Sequence, residues 1–297
     1  MATVASAGRV RREDQVAHWW RRFLLLALSV VLLAFTLMVI VPFIWMLVMS
    51  FRTTGEILAE PYGLPTRLSL ENYHRLFFDP AIRFSRYFVN SAFVSGVALV
   101  LTSVLSTMAG YGFGRTRYHF RLRSPLFGIL LLALMLPPQI LYLPQFTMMG
   151  RYGLLGSRWS LVLLYTATAL PVSIYLMATY FSQLPGELED AARIDGCTEF
   201  RTFWQVMLPL SRPALATVIL LNFLHFWNEL LLAVTMVTDP ALRTLPAAMM
   251  MFVGEHGSNY AIAAASLVSA MLPVLILYLV LSDKFIEGLT AGALKGA

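Results

Sequence analysis

The chain has 297 residues, a formal net charge of +6, 58% hydrophobic residues and only 13% charged residues. A soluble globular domain of this composition would expose large apolar patches, so the composition excludes that class. A nucleic-acid site would need a basic soluble face with interleaved aromatic residues, so no nucleic-acid partner is expected. The single cysteine, Cys197, excludes an intramolecular disulfide and a CxxC metal or redox site.

Six long segments contain no Asp, Glu, Lys or Arg, apart from one glutamate in the fifth. Each has about 26 to 29 residues, and about 20 helical residues are enough to cross the hydrocarbon core of a bilayer. Backbone polar groups inside lipid need internal partners, and the segments lack the alternation of a β-barrel. We therefore predict an all-α integral membrane protein with six transmembrane helices. The segments are Phe23–Phe51, Tyr87–Gly114, Ser124–Gly150, Trp159–Gly186, Pro213–Thr238 and His256–Ser282.

The basic residues predict the orientation of these helices, because Lys and Arg are retained on the cytoplasmic side. With the N-terminus inside, the cytoplasmic segments carry five, four, three and two basic residues, and the external loops carry five, two and one. The short loops are the most informative, since 115–123 has four arginines and no acid whereas 151–158 has two. We expect a cytoplasmic segment 1–22, a membrane domain 23–282 and a cytoplasmic tail 283–297.

Prolines predict interruptions along the chain. In the first external loop an amphipathic piece is expected from Leu70 to Phe78, and Asp79-Pro80 ends it. The third membrane segment has three prolines within eight residues, at positions 137, 138 and 144. Because proline lacks an N–H group and clashes with the preceding turn, we expect the third helix to be interrupted altogether.

A charged segment, Glu187 to Pro209, separates the fourth and fifth membrane segments. Its acidic start favours the first turn of a short helix, and Asp195-Gly196 is a turn dipeptide in which glycine can adopt positive φ. A second amphipathic helix is predicted to begin at Thr198-Glu199. Such a helix-turn-helix has a shape that inserts into a groove on a partner, and the alternative is a structural connector lying on the membrane. The apolar face of the second helix is predicted to comprise Phe200, Phe203, Trp204 and Met207.

This segment resembles the EAA coupling motif of ABC-importer permeases, which reads roughly E-A-A, three residues, G, nine residues and I-x-L-P. The matching residues are Asp190-Ala191-Ala192, Asp195-Gly196 and Val206-Met207-Leu208-Pro209. Asp190 stands where glutamate is usual, with Glu189 before it, and Cys197 stands where alanine is usual. The resemblance implies that an ATPase subunit is coupled through Glu189, Asp190, Ala191, Ala192, Asp195, Gly196, Leu208 and Pro209.

Further blocks are similar to the maltose-type carbohydrate permeases, and the resemblance covers about Trp19 to Gly296. It implies a type I importer permease with cytoplasmic N- and C-termini in a bacterial or archaeal inner membrane. It also implies a second permease, two ATPase subunits and an external substrate-binding protein for a sugar, oligosaccharide or polyol-like solute. The tail block should reach the ATPase, unless it is a frayed terminus. The blocks are Leu64-Pro65-Thr66, Leu70-Glu71-Asn72-Tyr73, Asn90-Ser91, AGYGFGR at 109–115, Trp227-Asn228-Glu229 and GLTAGALKG at 288–296.

The chain itself is not expected to bind ATP. A phosphate-binding loop needs a lysine followed by Ser or Thr after GxxxxG, and the two lysines are followed by Phe285 and Gly296. ATP and Mg²⁺ are therefore expected on the ATPase subunit that the resemblance implies, with no cofactor here. A membrane-embedded enzyme would need clustered His, Asp or Glu, whereas the five histidines are scattered, so neither catalysis nor a metal site is expected.

The fifth membrane segment contains a polar face. At 100° per residue, Asn222, His225, Phe226 and Glu229 fall at i, i+3, i+4 and i+7 of one helix. Polar groups that face lipid are costly, so this face should look into the interior of the permease. We interpret it as a substrate path in which Asn222 and Glu229 bind hydroxyl groups and Phe226 stacks on a sugar. The alternative is a structural role, with the acid hydrogen-bonded to a neighbouring helix.

A competing class is the ion-coupled secondary transporter, in which Glu229 would be the coupling acid. No basic residue lies in the membrane segments to pair with it. No internal repeat relates the two halves of the chain, which disfavours the carriers built from repeats.

Overall fold

The structure, a computed structural model, describes residues 2–65, 67–115, 117, 120–255 and 259–293, and within these it describes side chains for 19–250 and 259–285. Every regular element in this described part is helical. The helices are α1 (Ala2–Ser50), α2 (Thr54–Ala59), α3 (Glu71–Phe78), α4 (Phe84–Gly114), α5 (Arg123–Leu134), α6 (Tyr142–Arg151), α7 (Arg158–Gln183), α8 (Glu187–Ile194), α9 (Glu199–Thr202), α10 (Leu208–Leu210), α11 (Arg212–Asn228), α12 (Leu231–Met236), α13 (Leu245–Glu255) and α14 (Tyr260–Ala293).

Four of these helices, α1, α4, α7 and α14, are long and apolar enough to cross a membrane. The count rises to six if each of two bent helix pairs forms one span. These pairs are Arg123–Leu134 with Pro138–Arg151, and Glu199–Leu210 with Arg212–Asn228. The all-α membrane architecture predicted from the charge-free segments is therefore confirmed. The helix α1 begins at Ala2, and its candidate membrane span covers Trp19–Ser50.

The predicted interruption of the third membrane segment is confirmed. The helix α5 ends at Leu134, a 3-10 turn covers Pro138–Leu141, and α6 begins at Tyr142. The two parts are bent by 100°. Pro137 is extended, with ψ of 125°, because a residue before another proline is excluded from the helical region.

The prediction of one continuous helix over Pro213–Thr238 is wrong. The helix α11 ends at Asn228, Glu229 has an extended backbone, and α12 begins at Leu231. The Glu229 carboxylate accepts the backbone N–H groups of Leu232 and Ala233, at 2.9 and 3.1 Å. It thereby satisfies the free donors in the first turn of α12, which stabilises a new helix start in place of a continued helix.

The loops predicted to be external contain more helix than the sequence indicates. The amphipathic piece predicted at Leu70–Phe78 is confirmed as α3, whereas α2 and α13 lie in segments that were treated as loops. Asn72 ties α3 to the end of α1, because its amide donates to the carbonyl oxygens of Ser50 and Arg52 at 2.8 Å.

Close contact between α4 and α7 forms the centre of the bundle. A Cβ atom added at Gly110 would lie 2.4 Å from the Met177 Cβ, and one at Gly114 would lie 2.5 Å from the Ala178 carbonyl oxygen. Only glycine permits this approach, because the space is already filled by the facing helix. The last turn of α4 is therefore held directly against the last two turns of α7.

The bundle has two distinct ends. At one end, which we call the Asn90 end, the Asn90 amide donates to the carbonyl oxygens of Ala241 and Arg243 at 3.0 Å and accepts from Arg158 at 3.1 Å. At the opposite Arg115 end, the C-termini of α4 and α7 meet α8 through Arg115. The helix-turn-helix predicted from the charged segment thus lies at the Arg115 end.

Candidate coupling segment and membrane path

The predicted helix-turn-helix at Glu187–Pro209 is confirmed. The helix α8 carries three acidic residues in its first turn, and Gly196 in the following turn has a φ of +79°. The Thr198 hydroxyl caps α9 by accepting the backbone N–H of Arg201. A π-helical turn at Phe203–Met207 and the short α10 then lead to α11. We call Glu187–Pro209 the coupling segment.

The four residues of the predicted apolar face of the second helix differ in burial. Phe203 and Met207 are buried, whereas Phe200 is 70% and Trp204 is 51% exposed. Residues four apart share a stripe, and the two stripes are rotated relative to each other, so one packs on the bundle and the other stays outside. Ile194 at the end of α8 is also exposed. The coupling segment therefore presents three large apolar side chains outward.

The eight predicted coupling residues have different environments. Exposed positions comprise Asp190, Ala191, Asp195 and Gly196. Leu208 and Pro209 are half-buried, and Ala192 is buried against the bundle. Glu189 is only 4% exposed, so in this structure its carboxylate faces the bundle and does not face outward.

Glu189 is held by an ion pair that connects the coupling segment to α4. Its carboxylate accepts from Arg115 Nη2 at 2.8 Å and Nε at 3.0 Å, and from the Tyr111 hydroxyl at 2.8 Å. Asp190 next to it forms an exposed pair with Arg117 at 2.9 Å. Arg193 and Glu199 form a further pair across the turn.

The four residues predicted to line a path do not share one environment. Asn222 donates to the Ser173 hydroxyl on α7 and to the Val218 carbonyl oxygen, both at 2.8 Å. Phe226 is 2% exposed and stacks on the Tyr165 ring at 5.3 Å between centroids. Glu229 accepts from the Tyr165 hydroxyl at 3.0 Å, whereas His225 is exposed. Three of the four thus contact α7, and the fourth points away.

Sequence reasoning missed the partners of both acids. The block AGYGFGR carries the family resemblance, and the sequence analysis assigns no role to Tyr111 or Arg115 within it. Tyr111 and Arg115 are four residues apart, so they lie on one helix face where the membrane segment ends. This spacing is the sequence signal that could have identified them as partners of an acid. Tyr165 carries no such signal, since its contact with Glu229 crosses between two helices. The tail prediction concerns Gly288 to Gly296, whose side chains lie outside the described residues.

The chain is similar to known proteins over most of its length. Residues 103–287 match the family described as "Binding-protein-dependent transport system inner membrane component". The trehalose/maltose transport system permease protein of Thermococcus litoralis is 36% identical over 92% of this chain and 97% of its own length. The diacetylchitobiose uptake system permease protein of Streptomyces coelicolor is 34% identical over 93% of this chain and 90% of its own length. An arabinooligosaccharides transport system permease protein of Bacillus subtilis is 32% identical, over 91% and 96%.

The fold has a solved counterpart. A chain from the crystal structure of a bacterial ABC transporter involved in the import of the acidic polysaccharide alginate superimposes with a TM-score of 0.76, covering 89% of this chain and 97% of that chain, at 24% identity. These similarities give no support to the ion-coupled alternative, and the chain is a transport subunit, not an enzyme. The chain therefore belongs to the family of inner membrane components of binding-protein-dependent transport systems, as a permease subunit of an ABC transporter.

Proposed function

We propose that this chain forms, with a second and different permease subunit, the translocation path of an ATP-driven importer for a sugar, oligosaccharide or polyol-like solute. The observation that carries the proposal is the exposed coupling segment at one end of an apolar helix bundle. The solutes in the names of the relatives, which are diacetylchitobiose, trehalose or maltose, and arabinooligosaccharides, support the substrate class.

The second permease has a surface available to it on α1. Every described side chain from Trp19 to Ile44 is exposed in this chain alone, although the helix is strongly apolar. Such a surface needs an apolar environment, which lipid and a second membrane subunit both provide. We place the complex in the inner membrane of a bacterium or archaeon.

Two ATPase subunits supply the energy in this proposal, and one of them binds the coupling segment of this chain. The exposed residues of the segment combine negative charge at Asp190 and Asp195 with apolar side chains at Ile194, Phe200 and Trp204. An amphipathic helix pair of this kind fits an apolar groove with a basic rim. ATP and Mg²⁺ are bound by the ATPase subunits, and this chain holds no cofactor.

The substrate path is proposed along α11, with Asn222, His225, Phe226 and Glu229 as its candidate residues. The support is that Asn222 and Glu229 belong to the fifth charge-poor segment and direct their polar groups toward α7. Because Phe226 is stacked on Tyr165, the proposal requires α11 to separate from α7 before a solute can contact that ring. An external binding protein delivers the solute at the Asn90 end.

Reconstitution of the complex tests the proposed function. The chain is coexpressed with a candidate second permease, ATPase and binding protein from the same organism, and uptake of labelled oligosaccharides is measured in proteoliposomes. We expect uptake only with ATP on the ATPase side and with the binding protein opposite. A non-hydrolysable ATP analogue is the control. Uptake driven by a proton or sodium gradient without ATP would contradict the proposal.

A further inference from the structure

Arg115 joins three helices at one buried point. It directly follows α4 and is 6% exposed. Its Nε and Nη2 atoms donate to the two carboxylate oxygens of Glu189 on α8. Its Nη1 atom donates to the carbonyl oxygens of Phe181 and Leu184 at the end of α7, at 2.9 and 2.6 Å. All three guanidinium nitrogens are therefore used at once, on two different helices.

The chemistry of this point requires arginine. A lysine ammonium is a single donor atom and cannot reach a carboxylate and two carbonyl oxygens in a fixed planar arrangement. The carbonyl oxygens belong to the C-terminal end of α7, where the helix macrodipole is negative. The positive side chain is thus stabilised from α7 as well as from Glu189.

Tyr111 completes the buried point from one turn earlier in α4. Its hydroxyl donates to Glu189, and its ring packs on Phe181 and Phe203 at centroid distances of 5.3 and 5.1 Å. Phe203 belongs to the second half of the coupling segment, so both halves of that segment are tied to α4. Gly114 permits the arrangement, because it brings the α4 backbone against Ala178.

We propose that Tyr111, Arg115 and Glu189 form a rigid clamp that carries movement of the coupling segment into α4 and α7. The inference rests on the proposed docking of the ATPase, which would contact the outer face of the segment. Arg115 is buried on the inner face, so it is a positioning residue. Without the clamp, α8 follows the ATPase while α4 and α7 stay in place, and ATP is hydrolysed without solute movement.

The neighbouring pair Arg117–Asp190 provides a matched control. It joins the same two parts of the chain at 2.9 Å, yet both side chains are exposed. An exposed pair contributes little, because water screens it and both side chains are mobile. Loss of this pair should leave transmission of movement intact if burial and the connection to α7 are what matter.

The test measures ATP hydrolysis and solute uptake in the same proteoliposomes of the full complex. Three variants are compared with the natural chain, namely Arg115→Lys, Tyr111→Phe and the control Arg117→Ala. We expect uptake per ATP to fall about tenfold in Arg115→Lys and about threefold in Tyr111→Phe, because hydrogen bonds to a buried charge are lost. The ratio should stay within about twofold in Arg117→Ala.

A distance measurement adds a readout of rigidity. Spin labels are placed on Glu187→Cys at the start of α8 and on Gly112→Cys in α4, in a Cys197→Ser chain. Glu187 is exposed, and a Cβ added at Gly112 meets nothing within 4 Å. The clamp predicts a narrow distance distribution in the nucleotide-bound complex, and a broad one after Arg115→Lys. A change of stability alone would leave the distribution narrow.

The outcomes separate this inference from the proposed docking. An unchanged ratio of uptake to hydrolysis in both Arg115→Lys and Tyr111→Phe overturns the clamp, as does an equal fall in Arg117→Ala. If Arg115→Lys does not assemble, Tyr111→Phe decides, because it keeps the ring and removes only the hydroxyl. Failure of the docking proposal would appear differently, as an ATPase that remains bound after Asp190→Lys.

Discussion

Among the residues of the coupling segment, Gly196 has the backbone conformation that most restricts which amino acid can occupy its position. Its φ of +79° is a conformation that side chains with a Cβ rarely adopt, and an added Cβ would meet nothing within 4 Å. Substitution there is therefore opposed by conformation alone, since space is available. A β-branched residue at this position costs about 1 to 3 kcal/mol locally.

Gly196→Val should consequently redirect α9 relative to α8 and weaken binding of the ATPase. We expect loss of transport and of ATPase copurification, with insertion of the chain in the membrane unchanged. Gly196→Asn is the matched control, because asparagine tolerates positive φ, and it should retain most of the transport. The measurement is ATPase copurification together with uptake. Equal behaviour of the two variants would show that the turn conformation does not matter for docking.

The sequence was sufficient to predict the turn at Gly196, but it did not predict the direction of the Glu189 side chain. A turn after an acidic helix start is a local pattern, so a one-dimensional reading can identify it. The direction of the Glu189 side chain depends on Arg115, which lies 74 residues earlier in the chain. Sequence spacing groups Glu189 with its exposed neighbour Asp190, and only the packing of α4 on α7 separates their roles.

Among the helices, the junction of α11 and α12 shows why two breaks in membrane segments differed in predictability. Three prolines predicted the break between α5 and α6, because proline interrupts a helix through its own missing N–H group and ring. The break at Glu229 has no proline or glycine. It depends on a carboxylate that caps α12 and accepts from Tyr165, a contact between distant helices. Helix propensity alone favours continuation there.

Substitutions near this junction can distinguish a structural role of the predicted path residues from a role in transport. Glu229→Ala leaves the N–H donors of Leu232 and Ala233 without their acceptor and should destabilise the complex by about 1 to 3 kcal/mol. Glu229→Gln keeps one acceptor oxygen and should destabilise it less. Asn222→Ala removes one hydrogen bond to α7 and should lower uptake with assembly retained. Thermal unfolding and uptake of the purified complex are the two measurements.

A different result at this junction would be equally informative. If Asn222→Ala prevents assembly, the polar face of α11 serves packing, and the solute contacts belong to the second permease. If Glu229→Ala unfolds at the same temperature as the natural chain, the carboxylate is not needed as a cap. Its hydrogen bond with Tyr165 and a direct contact with solute would then be the remaining roles.

For the whole molecule, the structure groups the loops as the charge pattern does. Arg115, Arg193 and Arg212 lie in segments at the Arg115 end, and Arg158 and Arg243 lie at the Asn90 end. The side of the membrane follows from the basic residues, whose bias is strongest in the short loops. The sequence therefore predicts a cytoplasmic Arg115 end, with the coupling segment accessible to a soluble ATPase.

Cys197, the single thiol of the chain, tests this orientation directly. It lies in the turn of the coupling segment and is partly exposed. A membrane-impermeant maleimide should label it in inside-out vesicles, and bound ATPase should reduce the labelling, because the turn would then be covered.

Tyr62→Cys in a Cys197→Ser chain is the matched control, since Tyr62 is highly exposed in the first loop on the opposite side. That thiol should be labelled only from outside intact cells. Labelling of Cys197 from outside would reverse the orientation and remove the coupling segment from the reach of ATP.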